Sequence, residues 1–408
     1  MTDKLAKQLT KQDRPQMGQM VKKDMQIVRE LGKKVAEIAA LPVQEEKRRL
    51  WKALNGLRPE RPMVMIDQLP WHEMDVDGEL EIQCENDFCR SLEGYFRRTL
   101  YLWKHMPADM VVESYVEVNK VIHGTDFGIK VEEHTISTDP MNSVVSQKFT
   151  DQLRTEEDLE RIKMPKVYYD KEATMKKLEM AHELLDGVID IRLQGCLPNN
   201  SSWDQISTWK GVENILYDLI DRPEFIHKLM SRLTTAYLSM LDQLEEQGLL
   251  GYGQTTIHCT GAYTDELPAP GFNPEKPRAK DLWTYGLAQV FSTVSPEMHE
   301  EFELNYGNKW FARFGLVYYG CCDPLDNKMH IVRKIPNLRK VSMSPWVNIE
   351  KGAEGEPEVV EKDLIKTRDV CKKYGCPVEF ILKDVSTIRY QPQRLWEWAE
   401  IAGRVCKA

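Results

Sequence analysis

Hydrophobic positions in the first part of the chain recur every three or four residues. Met20, Met25, Val28, Leu31, Val35, Ile38 and Ala39 stand among charged neighbours, and Leu50 and Leu54 continue the spacing, so residues 19–58 are expected to be helical. The pattern then changes. Arg61-Pro-Met-Val-Met-Ile-Asp67 sets a short apolar run behind a proline, as a buried strand does. Comparable runs follow at residues 110–116, 188–193, 255–259, 316–319, 338–343 and 377–382. Helical spacing separates most of them, over 171–186, 211–220, 223–247, 295–313, 359–374 and 391–405. Strands that alternate with helices pair in parallel through right-handed crossovers, and this many units favour a closed (β/α)8 TIM-type barrel. The expected organisation is an N-terminal helical extension over 1–58 and a barrel over 59–408. An open doubly wound sheet is the alternative; against it, no G-x-G-x-x-G follows the first strand and no G-x-x-x-x-G-K-[ST] occurs.

Two stretches read as loops. Residues 260–283 carry Gly261, Pro268, Pro270, Gly271, Pro274 and Pro277, which exclude regular helix or central strand and predict a long excursion near a barrel rim. Lys351-Gly-Ala-Glu-Gly-Glu-Pro357 reads as a solvated acidic loop.

Charge narrows the function classes. A formal net charge of -9 without a basic run disfavours attraction to nucleic acid or anionic lipid. No apolar stretch approaches the roughly 20 residues of a membrane-spanning helix, and the first residues lack the apolar core of a secretory signal, so a soluble, cytoplasmic protein is expected. In that compartment the nine cysteines are expected as thiols, with a metal ligand among them, rather than as disulfides. Cys371 and Cys376 read as structural.

Several motifs appear in a particular order. Arg61–Asp67 comes first, then Asn199-Asn-Ser-Ser-Trp203, then Asp221-Arg-Pro-Glu-Phe-Ile-His-Lys-Leu-Met230. Ser295-Pro-Glu-Met-His-Glu-Glu-Phe302 follows, and after it a strand ending Val317-Tyr-Tyr-Gly-Cys-Cys-Asp-Pro-Leu325. Over residues 58–405 this order resembles the uroporphyrinogen decarboxylase superfamily. True decarboxylases of that superfamily carry an R-Q-A-G-R loop whose arginines pair with substrate carboxylates. The corresponding segment here, Ile66-Asp-Gln-Leu-Pro-Trp-His-Glu73, has no arginine, and Asp67 and Glu73 would repel such a substrate.

The sequence therefore resembles the branch of corrinoid-linked methyltransferases. That resemblance implies zinc as Lewis acid, held by an H-x-C motif and a distant cysteine. Cys322 stands at the expected cysteine. Gly320 takes the place of the histidine, and Lys383-Asp-Val-Ser386 holds no second cysteine. By position at strand ends, His258, Cys259, Cys321 and Asp384 are the nearest substitutes, so the expected metal set is His258, Cys321, Cys322 and Asp384.

Moving a methyl group off oxygen or nitrogen requires a better leaving group, which a metal or a general acid supplies. His72, Glu113 and Asp67 are the expected proton-transfer residues. Glu113 and Glu117 lie in an apolar run, where a carboxylate is costly without partners. Trp71, Glu117, Trp203, Tyr285 and Tyr318 are expected to meet the substrate, and Tyr263, Trp283 and Trp346 add aromatic surface compatible with an aromatic ether.

The resemblance further implies a small methoxylated or methylated donor and a corrinoid carried by a separate corrinoid-binding protein. A homodimer is also expected. Two other readings stay open: a metal-free lyase acting on a small carboxylic acid, and a non-catalytic barrel serving as a partner protein.

Overall fold

The amphipathic run at the start folds as two helices, Lys22–Ala39 and Pro42–Asn55. They separate at Pro42 because proline suits the first helical position but cannot continue a helix already running. The computed structural model describes residues 22–136, 146–342, 344 and 357–408; residues 1–21, Trp346 and the acidic loop over 351–356 lie outside these. The described chain is mixed α/β and divides into two units, Met1–Val118 with Lys176–Arg192 and Asn348–Ala408, and Asn119–Met175 with Leu193–Val347.

In the first unit Val28, Val35 and Ala39 bury against Cys89, Leu92 and Phe96 of a helix over Asp87–His105. The Asn86 side chain caps that helix by accepting from the N–H groups of Phe88 and Cys89. The strand Met63–Ile66 pairs in parallel with Glu379–Leu382. The strand expected over 110–116 begins later: Tyr115–Asn119 pairs with Asp190–Gln194, while 110–114 is irregular.

In the second unit the helix Pro223–Glu246 buries Phe225, Ile226, Leu229, Leu233, Ala236, Leu241 and Leu244, a stripe at helical spacing. Burial of each such leucine contributes roughly 2 kcal/mol, so this stripe anchors the unit's main core. Beside it Trp283–Gly286, Leu316–Tyr319 and Leu338–Val341 form a parallel sheet. Single parallel bridges join Cys196 to Leu250 and Asn200 to Gly286. Two antiparallel pairs, Glu133–Ile136 with Ser146–Phe149 and Val121–His123 with Tyr168–Asp170, complete the unit's longer ladders.

Among the described residues the ladders join two or three strands each, and the expected eight-stranded ring is not closed. No described helix is long and apolar enough to cross a membrane.

Candidate functional site

Register places the chemistry of the second unit. Trp283 pairs with Leu316 and Tyr285 with Tyr318, so the two tyrosines stand side by side on one face of the sheet. Val317 and Tyr319 project from the other face and join the main core. After Tyr319 the chain must turn at once. Gly320 adopts φ +96, and an added Cβ would lie 2.7 Å from Leu325 Cδ1 and 3.0 Å from the Ser342 carbonyl, so only glycine fits. The turn is held by the Cys321 N–H, which donates to Asp323 Oδ1 at 3.1 Å, and by Ser342 Oγ, which donates to the Cys321 carbonyl at 2.9 Å. Cys321 and Cys322 emerge with their Sγ atoms 3.5 Å apart.

The run expected as a strand over 255–259 is instead a tight hairpin. Thr256–Ile257 pairs with Thr260–Gly261, and His258 and Cys259 form its two-residue turn, with His258 at φ +54. A non-glycine residue in the left-handed region is uncommon and is held there by its surroundings. The His258 ring stacks on Tyr318 with centroids 5.5 Å apart and meets Tyr285 edge-on at 4.9 Å. Its Nδ1 lies 3.0 Å from Cys259 Sγ, which in turn lies 3.7 Å from the Tyr318 hydroxyl. His258 also hydrogen-bonds the Cys321 thiol. Burial opposes its protonation, but the Cys259 and Cys321 sulfurs outweigh burial and raise it to about 9. At neutral pH the imidazole is a cation among sulfurs.

Two carboxylates lie near Cys321. Asp204 sits in the first turn of the helix Ser202–Lys210; burial first, then Cys321, pushes it up to about 6, and Gln289 donates to it at 3.4 Å. Asp323 is also pushed up by burial, and its Oδ2 has no hydrogen-bond partner.

Deeper lies Glu303, in a π-helical turn over Glu300–Leu304 that interrupts the expected helix. Burial and then Asp323 raise it to about 8. The Trp203 indole N–H draws it down slightly without forming a regular hydrogen bond, and Glu303 Oε2 is left without a partner. Nearby, His299 Nε2 lies 2.6 Å from the Tyr319 hydroxyl; burial, then Lys328, depresses His299 to about 3. The sequence reading passed over Asp204, His299 and Glu303. Their signal was there: His299 and Glu303 are four apart in a helical run, hence on one face, and a buried acid four residues from a buried histidine is unusual.

Of the expected residues, this unit brings together His258, Cys321, Cys322, Tyr285 and Tyr318. Trp203 does not line an open face; it is fully buried against Phe291, with centroids 4.5 Å apart, because it lies on the inward side of its helix. Thiolate and imidazole are donors that zinc takes, and two thiolates on one tetrahedral zinc stand roughly 3.8 Å apart, close to the Cys321–Cys322 spacing. Within this unit no three described metal-ligating side chains have all their donor atoms within 4.8 Å of one another. The cysteine pair thus offers two donors of the kind zinc takes, without a third within that distance among the described residues of this unit. A solvent-open cleft of about 420 Å³, lined by His134, Lys148, Asp151, Arg154 and Asn214 among others, shares no residue with this cluster.

The other expected residues belong to the first unit. Asp67 is half-buried just past its strand, its N–H bonded to the Leu382 carbonyl. Trp71 lies edge-on to Tyr101, and the Arg98 guanidinium covers its ring at 5.1 Å. His72 Nε2 is buried without a hydrogen bond, 3.6 Å from Glu73. Glu113 is half-buried and pairs with Arg48 at 3.2 Å. Glu117, expected in a buried run, is exposed, because alternation along its strand turns Val116 and Val118 inward instead. Asp384 is exposed at φ +55 after Glu379–Leu382, with Lys383 Nζ at 3.5 Å.

Compared with known proteins, the sequence matches no protein-family model and no curated protein.

Proposed function

We propose that the chain is a methyltransferase that moves a methyl group between a small methoxylated or methylated compound and a corrinoid on a separate protein. The fold that goes with this reading is a (β/α)8-type barrel over 59–408. The parallel neighbours within each unit support it, as does the cysteine pair just past the parallel strand Leu316–Tyr319, since strand ends are the usual place for a barrel's chemistry.

The observation that carries the proposal is His258, held as a cation between the Cys259 and Cys321 sulfurs, beside Cys322 and against Tyr285 and Tyr318. In such a transfer the bond between the methyl carbon and its oxygen or nitrogen breaks. The carbon goes with neither bonding electron to cobalt(I), and the leaving atom takes a proton. His258 is charged at neutral pH and can deliver that proton. Tyr285, partly exposed, offers a ring to a flat donor, while Tyr318, fully buried, backs the His258 imidazole. Cys321 and Cys322 are the residues that would hold zinc, which when bound stabilises charge on the leaving atom.

The test is zinc content and methyl transfer from a methoxyaromatic to a corrinoid acceptor, comparing wild type with Cys322→Ala. Roughly one zinc per chain, lost in the variant together with most of the activity, is expected. Wild type without zinc and without transfer would sink the proposal. That outcome would favour a metal-free lyase, in which Asp204, already raised to about 6, serves as the general acid.

A further inference from the structure

Cys321 and Cys322 are successive residues whose sulfurs touch, at 3.5 Å. Successive side chains in an extended segment point to opposite faces. Here the chain past Gly320 bends rather than continuing extended, and the alternation does not hold. Their surroundings differ: Cys321 is only 7% exposed, whereas Cys322 is open to solvent. An outside reagent reaches one sulfur while the other waits beside it.

We propose that this pair is a site of reversible oxidation, in which a peroxide closes a disulfide between the two neighbouring residues. The inference goes beyond methyl transfer and does not rest on it, since it needs only the two thiols. In the first step the Cys322 thiolate attacks one peroxide oxygen. The O–O bond breaks, Cys322 becomes a sulfenic acid, and the other oxygen takes up the proton the Cys322 thiol had released and departs as water or an alcohol. In the second step the Cys321 sulfur attacks the Cys322 sulfur and the S–O bond breaks. The departing hydroxide takes the Cys321 proton and leaves as water. Two thiols and one peroxide thus give one disulfide; the sulfurs together lose two electrons, and the peroxide gains them.

Three of the other cysteines are poorer targets. Burial pushes Cys89 up to about 11 and Cys406 up to about 12, and raises Cys84 further, so these stay protonated and unreactive. Neighbouring Cα atoms across a trans peptide lie ~3.8 Å apart, below the ~4.4 Å at the short end of ordinary disulfides. The bond formed is strained, and strained disulfides are readily reduced. That suits a site that opens and closes rather than a permanent staple. Closure would also remove both sulfurs as ligands.

The test uses the full chain, stripped of metal by a strong chelator, reduced, and then treated with hydrogen peroxide. Remaining thiols are alkylated, the chain is digested, and the peptide holding Cys321 and Cys322 is weighed. The expected result is loss of two hydrogens with no alkyl label on that peptide, and full labelling again after dithiothreitol. Exposed Cys376, whose thiol donates to the Tyr374 carbonyl at 3.8 Å, supplies the internal comparison and keeps its label. Cys322→Ser should leave Cys321 labelled. Full labelling of both residues in wild type overturns the proposal. So does irreversible oxidation of Cys322 without the loss of two hydrogens, or a bond from Cys321 to Cys259.

Discussion

Two buried glutamates, one in each unit, show how differently the same side chain can be used. In the first unit Glu93 accepts from the N–H groups of Gln83 and Cys84 at 3.0 and 2.8 Å and from Arg97 Nε at 2.7 Å. Burial raises its proton affinity, but those donors outweigh it, and Glu93 ends below the usual carboxylate range. Glu73 follows the same logic, clamped by Thr387 Oγ1 and the N–H groups of Ile388 and Tyr390. In the second unit Glu303 is buried as deeply, has one oxygen without a partner, faces another acid and sits above the usual range. Satisfied carboxylates tie a fold together. A carboxylate kept short of donors holds a proton where water cannot take it, which is what sites that move protons require.

The contrast can be broken most directly at Glu93. Glu93→Ala leaves Arg97 and two buried N–H groups without their acceptor, and it should cost about 3–5 kcal/mol in urea unfolding. An unchanged midpoint would mean that this clamp carries no stability.

Glu303→Gln replaces a protonated acid by an amide of the same shape, so below pH 4.5, where the acid keeps its proton both folded and unfolded, it should change stability by about 1 kcal/mol or less. The pH dependence is sharper. Because the folded state holds the proton more tightly than the unfolded chain, the contribution of Glu303 is complete below the ordinary value of 4.5 and is lost as pH rises through about 8. Wild type should therefore lose stability across that window, by at most about 1.4 kcal/mol per pH unit, relative to Glu303→Gln. Parallel pH curves for the two proteins would end the argument.

The smallest effect is expected at Glu113, which pairs with Arg48 at a half-buried position. Glu113→Gln should cost no more than about 1 kcal/mol. A loss as large as that at Glu93 would move Glu113 among the structural anchors.

The glutamate contrast also explains what could be seen in advance. Leu316–Tyr319 was legible as a strand because four apolar residues in a row can be buried on both faces of a parallel sheet. Cys321 and Cys322 stood out by chemistry alone. Asp87–His105 was passed over although Cys89, Leu92 and Phe96 recur at helical spacing, and Trp283–Gly286 because a four-residue run beside a proline-rich loop gives little signal. The orphaned state of Glu303 has no local signature, since it depends on Asp323 and Trp203, which are far away in sequence.

The sequence by itself determined the alternation of helices and strands, the placing of two thiols just past an apolar strand, and a net charge that turns away polyanions. These follow from period, composition and covalent order, which are local. Tertiary structure alone decided that Thr256–Gly261 closes as a hairpin, that His258 meets two tyrosines and two sulfurs, and that Glu93 is satisfied while Glu303 is not. The reason is physical: a proton's affinity and a ligand's geometry depend on which distant groups share its small volume, and only packing chooses them.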